Sequence, residues 1–207
     1  MNSPILLPPA SREVLAGIPA LGSQVSTDGF CLRPIQPEAD ADWLHDWLHR
    51  DYARFWGLGQ ASPDEIRKVY QTIQDSDHSR AYLGRRDGQP AFLLEHYLPS
   101  LNALGRHYPV RTGDHGIHFA LAPVQKPRHD FSIEVLLAIL EIIFRDTQAR
   151  RLVVEPDIRN LKIHILNFRA GFRYVGLLKL ADKNAYLGFC SRRQFQAARQ
   201  RHRGACP

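Results

Sequence analysis

The stretch 155–176 reads EPDIRNLKIHILNFRAGFRYVG, and it decides the fold of this chain. It follows a short apolar run and contains a polar turn, a helical segment and the start of another strand. Asn160 stands where a helix N-cap is expected, and Gly171 stands where a left-handed residue ends a helix. Each residue has a structural explanation of its own, but the compound pattern is improbable by chance.

A second stretch, 112–123, reads TGDHGIHFALAP and predicts a strand that contains two histidines. Strand side chains alternate, so His118, Ala120 and Ala122 share one face of the sheet. That face of small residues leaves room for a ligand beside His118, although a core histidine bonded to a backbone carbonyl is the structural alternative. His115 lies at odd spacing from His118, and we expect it to point to the other face and to be structural.

The remaining patterns predict an α/β domain with a mixed sheet. A doubly wound dinucleotide fold is excluded because no Gly-x-Gly-x-x-Gly motif follows a first strand. The tryptophan-rich stripe in the first helix is interpreted as core, and Ser62 is predicted to be an N-cap. The expected elements are strand 30–35, helix 37–51, helix 62–73, the hairpin strands 80–86 and 90–99, helix 128–149, strand 151–156, helix 160–172 and the strands 172–180 and 184–190.

The chain has 207 residues with 44% hydrophobic composition, which is enough for one domain with a full core. We expect an N-terminal arm at 1–28, a folded domain at 29–190 and a basic C-terminal tail at 191–207. Basic residues crowd this last segment without a clear apolar seam, so it is interpreted as solvated.

Compartment and metal use are inferred from two further observations. No apolar run reaches membrane-spanning length, and the N-terminus lacks the features of a signal peptide. The three cysteines are far apart and have no metal-ligand spacing, so reduced thiols, a cytoplasmic location and no metal site are expected.

The net charge of +6 favours an anionic partner, such as nucleic acid, a phosphorylated cofactor or a membrane surface. A basic nucleic-acid-binding module that uses the C-terminal tail is therefore an alternative from a different functional class. No helix-turn-helix, zinc-finger or RNP pattern supports it.

The segment 155–176 resembles the EPD-x-RN…AGF signature of the GNAT superfamily of acyltransferases. The resemblance covers residues 29–190 and implies the GNAT acyl-CoA N-acyltransferase fold, with a central mixed, mostly antiparallel sheet flanked by helices. It also implies acyl-CoA as a co-substrate, no permanently bound cofactor, small-molecule substrates, and no nucleic-acid or membrane partner. The oligomeric state stays open.

The upstream stretch HYPVRTGDHGIHFAL, residues 107–121, narrows the resemblance to the siderophore branch of the superfamily. Members of that branch acylate N-hydroxylated amines. Within it the chain resembles the alcaligin-type acyltransferases, which implies succinyl-CoA with N-hydroxycadaverine or N-hydroxyputrescine. An N-hydroxylysine acetyltransferase and an aminoglycoside-type N-acetyltransferase are the alternatives.

The catalytic residues that this resemblance implies are His118 and Asp157. His118 would take the proton from the attacking nitrogen or its adduct, and Asp157 would orient either the imidazole or the hydroxylamine. An alkylamine with a pKa of about 10.4 must lose a proton before it attacks, whereas an N-hydroxyamine is already largely neutral at pH ~7.

For acyl-CoA, the resemblance places the pyrophosphate at the loop QKPRHDF, residues 125–131, which lacks the glycines usual in the family. Cations and free amides at the start of the next helix would replace them, and the backbone near Phe119 would polarise the thioester. Asn167 stands where many GNAT enzymes have a tyrosine that protonates the leaving thiolate. The residues expected to bind the co-substrate are Phe119, Gln125, Lys126, Arg128, Asn160 and Asn167.

Two further residues are candidates for binding the amine. Trp56 would line the acceptor site or fill a gap in the packing of the core. Glu95 would bind a distal ammonium group or would lie exposed to solvent. A carboxyl-bearing acyl chain would need a cation, for which Arg111 and Arg128 are the candidates.

Overall fold

The computed structural model describes residues 18, 21, 25–124, 126 and 128–204. Short 3-10 helices cover Asp51–Trp56, Pro99–Leu101 and Ala103–Arg106. The strands are β1 Val25–Thr27, β2 Phe30–Pro34, β3 Ser79–Arg86, β4 Gln89–Tyr97, β5 Asp114–Leu121, β6 Arg151–Val154, β7 Arg173–Lys179 and β8 Asn184–Ser191. The helices are α1 Pro37–Leu48, α2 Pro63–Gln74, α3 Phe131–Phe144, α4 Leu161–Ala170 and α5 Arg192–Gly204.

One sheet contains the strands in the order β1-β2-β3-β4-β5-β6-β8-β7. Every described strand pair is antiparallel except β5 with β6, so the predicted mixed, mostly antiparallel sheet is confirmed. The parallel pairing of β5 and β6 is short and ends at Gly116 opposite Val153. Because β5 continues to Leu121 while β6 ends at Val154, the sheet opens between these two strands.

Helices cover both faces of the sheet and bury two apolar clusters. Ile117 packs with α3, α4 and α5 on one face, whereas Ala120 and Ala122 pack with α1 and α2 on the other. The alternation predicted for the strand that contains His118 is therefore confirmed. Each fully buried Leu or Phe stabilises the fold by roughly 1.5–3 kcal/mol relative to an exposed side chain.

Several local predictions are confirmed at the ends of these elements. Ser62 caps α2 in a capping box with Glu65, whose carboxylate accepts from the Ser62 backbone at 2.8 Å. Asp87 and Gly88 both have positive φ, at 50° and 75°, as the tight hairpin turn between β3 and β4 requires. Gly171 ends α4 with φ 101°, a conformation that favours glycine.

The expectation of a solvated C-terminal tail is wrong for residues 192–204, which form α5. Phe195 and Ala198 are buried, and the Phe195 ring stacks on Phe144 with centroids 5.5 Å apart. Arg192 donates to the carbonyl of Ala149 at 2.9 Å and thereby anchors the start of the helix. An apolar seam of two residues among many arginines is too short to be recognised from periodicity.

The expected N-terminal arm at 1–28 lies mostly outside the described residues. Its end differs from the expectation, since β1 pairs antiparallel with β2 and extends the sheet. In the part of the chain that the structure describes, no helix combines the length and apolar character needed to cross a membrane.

Candidate active site

The centre of the candidate site is His118, which lies on β5 two residues beyond the last pairing with β6. Its neighbour on β4 is Glu95, directly opposite in the antiparallel register. The imidazole therefore stands where the sheet opens, and its side chain is 38% exposed. That exposure separates His118 from an ordinary core histidine.

His118 is held between two carboxylates. Its Nε2 lies 2.5 Å from Oε1 of Glu155, and its Nδ1 lies 3.2 Å from Oε2 of Glu95. Glu155 follows the last residue of β6 and is buried, and the Tyr97 hydroxyl donates to its second oxygen at 3.0 Å. The Nζ of Lys183 lies 3.8 Å from the Glu155 oxygen that contacts His118. Residues of β4, of the end of β6 and of the turn between β7 and β8 thus surround the imidazole.

The electrostatics of this cluster favour a protonated imidazole. Burial alone would lower the pKa of His118, but the charge and hydrogen bond of Glu155, together with those of Glu95, raise the pKa to about 10. Burial likewise opposes ionisation of Glu155, yet the charge and hydrogen bond of His118 lower the pKa of that carboxyl below its usual value. At neutral pH the site therefore holds an imidazolium between two carboxylates. The expectation that His118 takes the proton from the attacking nitrogen stays a prediction, and a protonated imidazole must first pass its own proton to a carboxylate.

Glu95 is neither exposed nor free. Its side chain is 19% exposed and is engaged by His118, so the expectation of a solvent-exposed glutamate is wrong. On its other side lies Tyr70, a buried tyrosine whose pKa is raised by burial first and then by the charge of Glu95. The Trp56 indole donates to the Tyr70 hydroxyl at 3.1 Å, and its ring meets His118 edge-on at 6.4 Å between centroids. The structure thus brings Trp56, Glu95 and His118 together, as the sequence predicts.

Asp157 is placed differently from the expectation that it orients the imidazole. Its Oδ1 accepts from the Arg159 backbone at 2.8 Å, and its Oδ2 accepts from the Arg159 guanidinium at 2.6 Å. These hydrogen bonds lower the pKa of Asp157. No contact joins Asp157 to His118 among the described residues, and Glu155 contacts the imidazole instead. Of the two roles expected for Asp157, orientation of the imidazole is therefore not seen, and orientation of the hydroxylamine stays a prediction.

A surface pocket of about 240 Å³ lies beside Asp157. Lys183 lines it, and the charge of Lys183 acts on both Asp157 and Glu155. The pocket therefore adjoins the His118 cluster on the side of the turn between β7 and β8. Its lining residues are Asp157, Ile158, Arg159, Asp182, Lys183 and Asn184.

Sequence analysis could have found Glu155 from strand alternation. Val153 packs in the same cluster as Tyr97, so the residue two positions later points to the same face. The resemblance implies the aspartate of the same EPD motif instead.

His115 points to the opposite face, as predicted. Its Nδ1 lies 2.8 Å from Nε2 of His96, and both residues are buried. Burial, followed by the neighbouring His115, lowers the pKa of His96 to about 3, so this pair is neutral at physiological pH. A buried neutral pair away from the opening of the sheet is structural, as expected for His115.

The expected phosphate loop is described only in part, and Gln125 lies outside the described residues. Lys126 is exposed, and Arg128 forms an ion pair with Glu134 while its guanidinium covers the Phe131 ring at 5.1 Å. The helix that follows, α3, begins after Asp130, which has a positive φ of 57°. In the described part of the chain, the N–H groups of residues 132 and 133 have no hydrogen-bond acceptor. The start of α3 therefore offers two free amides, and the two cations precede them in the same loop.

The other residues expected to bind the co-substrate have structural contacts. Asn160 caps α4 by accepting from the Ile163 amide at 3.4 Å. Asn167 is buried and donates from its amide nitrogen to the Tyr174 hydroxyl at 3.1 Å. The Phe119 side chain packs into the cluster on the α3 face, which leaves its backbone at the margin of the opening.

Comparison with known proteins places these features in a family. The acetyltransferase (GNAT) domain family matches residues 36–180. The chain is similar to lysine N-acyltransferase MbtK of Mycobacterium sp. (strain MCS), with 27% identity over 179 residues that cover 86% of this chain and 72% of that protein. It is also similar to the N-hydroxyputrescine acetyltransferase of Acinetobacter baumannii, with 24% identity over 80% of this chain and 79% of that protein.

Among solved structures, the fold is similar to that of AAC(6')-Ib in complex with ribostamycin and coenzyme A. The TM-score is 0.71 and the identity 20%, over 82% of this chain and 97% of that one. At this identity the similarity concerns the fold alone.

Proposed function

The chain belongs to the GNAT acetyltransferase family, and we propose that it transfers an acyl group from acyl-CoA to the nitrogen of an N-hydroxylated amine. The product is a hydroxamate for siderophore assembly. Relatives named for N-hydroxyputrescine and N(6)-hydroxylysine support this class of acceptor, whereas the relative named for lysine supports only an amine acceptor in general. The observation that carries the proposal is the position of His118 between the carboxylates of Glu95 and Glu155.

A protonated His118 suits an acceptor whose nitrogen is already neutral before it attacks. An alkylammonium with a pKa of about 10.4 needs a strong base, and carboxylates are far too weak to supply one. A neutral N-hydroxyamine attacks through its lone pair and becomes acidic only after the C–N bond has formed. The Glu155 carboxylate is then a strong enough acceptor for the proton that leaves the nitrogen.

The reaction follows from these roles. The nitrogen attacks the thioester carbonyl in the opening between β5 and β6, and backbone amides near Phe119 polarise the carbonyl oxygen. The nitrogen proton passes to the Glu155–His118–Glu95 cluster, whose imidazolium keeps both carboxylates oriented. Asp157 lies at the mouth of the opening, where we assign it to the hydroxyl group of the acceptor. Trp56 closes the acceptor side.

Acyl-CoA is proposed to enter from the α3 and α4 side. Its pyrophosphate lies near residues 126–132, where the free amides at the start of α3 and the cations Lys126 and Arg128 replace a glycine-rich loop. Arg128 must turn from Glu134 toward phosphate, a change that the exposure of its side chain allows.

The finer assignment is succinyl-CoA with N-hydroxycadaverine or N-hydroxyputrescine, as in alcaligin-type siderophores. The acidic residue Asp182 in the pocket beside the cluster suits the distal ammonium of such a diamine. Lys183 in the same pocket suits a carboxylate, either that of a succinyl chain or that of N-hydroxylysine.

Release of free CoA tests the proposal. The purified protein is incubated with acetyl-, succinyl- and longer acyl-CoAs against hydroxylated and unhydroxylated diamines and lysine, with an aminoglycoside as a further acceptor. We expect the fastest release with a hydroxylated acceptor. Equal rates with hydroxylated and parent amines at neutral pH would favour a general amine acetyltransferase, and no release with any pair would refute the enzymatic proposal.

A further inference from the structure

A second polar cluster lies on the face of the sheet opposite His118, beneath α4. The Tyr174 oxygen on β7 lies 3.1 Å from Nδ2 of Asn167 and 2.8 Å from Nδ1 of His164. The Nε2 of His164 lies 3.2 Å from the Ile158 carbonyl. Because a carbonyl only accepts, Nε2 carries the hydrogen, and in the neutral imidazole Nδ1 accepts from the Tyr174 hydroxyl.

The Tyr174 ring reaches toward the opening of the sheet because β8 has a glycine beneath it. Tyr174 pairs with Gly188, which pairs in turn with Val154, the last residue of β6. A Cβ on Gly188 would lie 2.6 Å from the Tyr174 ring and 3.1 Å from the Val154 side chain. The ring therefore occupies the space between β7 and the end of β6. Its hydroxyl lies on the α4 side of the site where β5 and β6 part.

Asn167 gives an independent indication of a ligand at this position. It is 1% exposed, and its Oδ1 has no hydrogen-bond partner within the described residues. An unpaired buried acceptor costs roughly 1–3 kcal/mol, so such atoms call for a partner that binds during function. An amide N–H of the pantetheine arm or the thiol of CoA supplies the missing donor.

We propose that Tyr174 donates the proton to the sulfur of the departing CoA, an assignment that rests on the acyl transfer proposed above. As the tetrahedral adduct collapses, the C–S bond breaks and its electron pair goes to sulfur. The Tyr174 hydroxyl turns from Nδ1 of His164 to the sulfur, its O–H bond breaks and an S–H bond forms. A solvent proton taken up at Nδ1 of His164 then passes to the phenolate, which restores both the tyrosine and the neutral imidazole.

This assignment explains how the thiolate is protonated although position 167 holds Asn where many GNAT enzymes have a tyrosine. Asn167 cannot donate as an acid, but it holds the Tyr174 oxygen in place and stabilises the phenolate with its amide N–H. The proposed acid thus comes from β7, and its hydroxyl lies beside His164 and Asn167 of α4. The proton lost by the nucleophile and the proton gained by sulfur are handled on opposite faces of the sheet.

Tyr174→Phe tests the proposal, since it keeps the ring over Gly188 and removes only the hydroxyl. The acceptor is whichever amine gives CoA release with the unaltered protein. We expect kcat to fall about 100-fold, within the range for one positioned acid, while KM for acyl-CoA changes little. Tyr186→Phe is the matched control: its ring stacks on Tyr174, and in the described chain its hydroxyl makes no hydrogen bond.

Two further readouts separate proton donation from packing. With an acyl thioester of nitrothiophenol, whose thiolate leaves unprotonated, the deficit of Tyr174→Phe should largely disappear. In the protein with bound CoA and no acceptor, the ultraviolet absorbance of the thiolate should titrate at higher pH in Tyr174→Phe, because the hydroxyl that stabilised the thiolate is gone. This titration requires no acyl transfer, so it decides the role of Tyr174 even if the proposed reaction fails. The proposal would be overturned by an unchanged pKa of the CoA thiol, or by a kcat loss in Tyr174→Phe that is equal for acyl-CoA and the nitrothiophenol thioester.

Discussion

Glu155 and His118 each lie two residues beyond the last parallel pair, Gly116 and Val153, and their side chains meet at 2.5 Å where their strands have separated. The ion pair thus bridges the opening that we propose for the thioester. The strands provide the space, and the two side chains provide the charges beside it. Loss of either residue leaves the charge of the other without its main partner.

Glu155→Gln should lower the pKa of His118, because the largest favourable charge on the imidazolium is removed. NMR titration of the imidazole measures this shift. In the unaltered protein the raised pKa means that the stabilisation from His118 is complete below its ordinary value of about 6.5 and is lost as pH rises through the folded-state value. Asp157→Asn is the comparison variant and should shift the titration far less. A larger shift in Asp157→Asn would restore Asp157 as the partner of His118.

The preference for a hydroxylated acceptor should depend on pH. At pH ~7 the parent amine is almost wholly protonated and the hydroxylamine is neutral, so the ratio of their kcat/KM values should be large. The ratio should shrink toward pH ~9 as more of the parent amine becomes neutral. Initial rates for one matched pair across this range measure it, and a constant ratio would count against the protonation argument.

Replacement of Lys126 and Arg128 together by alanine should raise KM for acyl-CoA more than it lowers kcat. These cations are proposed to bind phosphate, which takes no part in the chemistry. Lys68→Ala, an exposed cation on α2, is the control. If KM stays unchanged, the pyrophosphate binds elsewhere.

Deletion of residues 192–207 should destabilise the protein, in contrast to the small effect expected of a solvated tail. Phe195→Ala isolates the packing contribution and should cost about 3–5 kcal/mol of unfolding free energy, as for other buried Phe side chains. Urea unfolding measures it, with the exposed Arg201→Ala as the control. A loss below ~1 kcal/mol in Phe195→Ala would mean that α5 contributes little to stability.

Much of the fold was predictable because its local patterns agree with the tertiary structure. The alternation around His118, the cap at Asn160 and the left-handed Gly171 are properties of adjacent residues, and each is confirmed. Helix α5 was missed because its stability depends on Phe195 packing against α3, a contact distant in sequence.

The position of the site was predictable from the sequence, but the residues that contact His118 were not. His118 and Trp56 were identified, whereas the carboxylate that contacts the imidazole depends on how β5 and β6 separate. Glu155 and Asp157 belong to the same motif, and only the geometry of the turn after β6 distinguishes them. The protonated state of His118 could not be predicted either, since it requires Glu95 and Glu155 on both sides of one ring.

The central claim is that His118 and Glu155 handle the proton as one unit, and a double-mutant cycle on kcat tests it most directly. His118→Ala and Glu155→Ala are measured singly and together with the hydroxylated acceptor, and acyl-CoA binding and thermal melting establish that each variant is folded. Each single variant should turn over at least about 100 times more slowly, within the range for loss of a positioned acid or base. The double variant should be little slower than the slower single one. Near-normal turnover of folded His118→Ala, or losses that multiply in the double variant, would contradict the account.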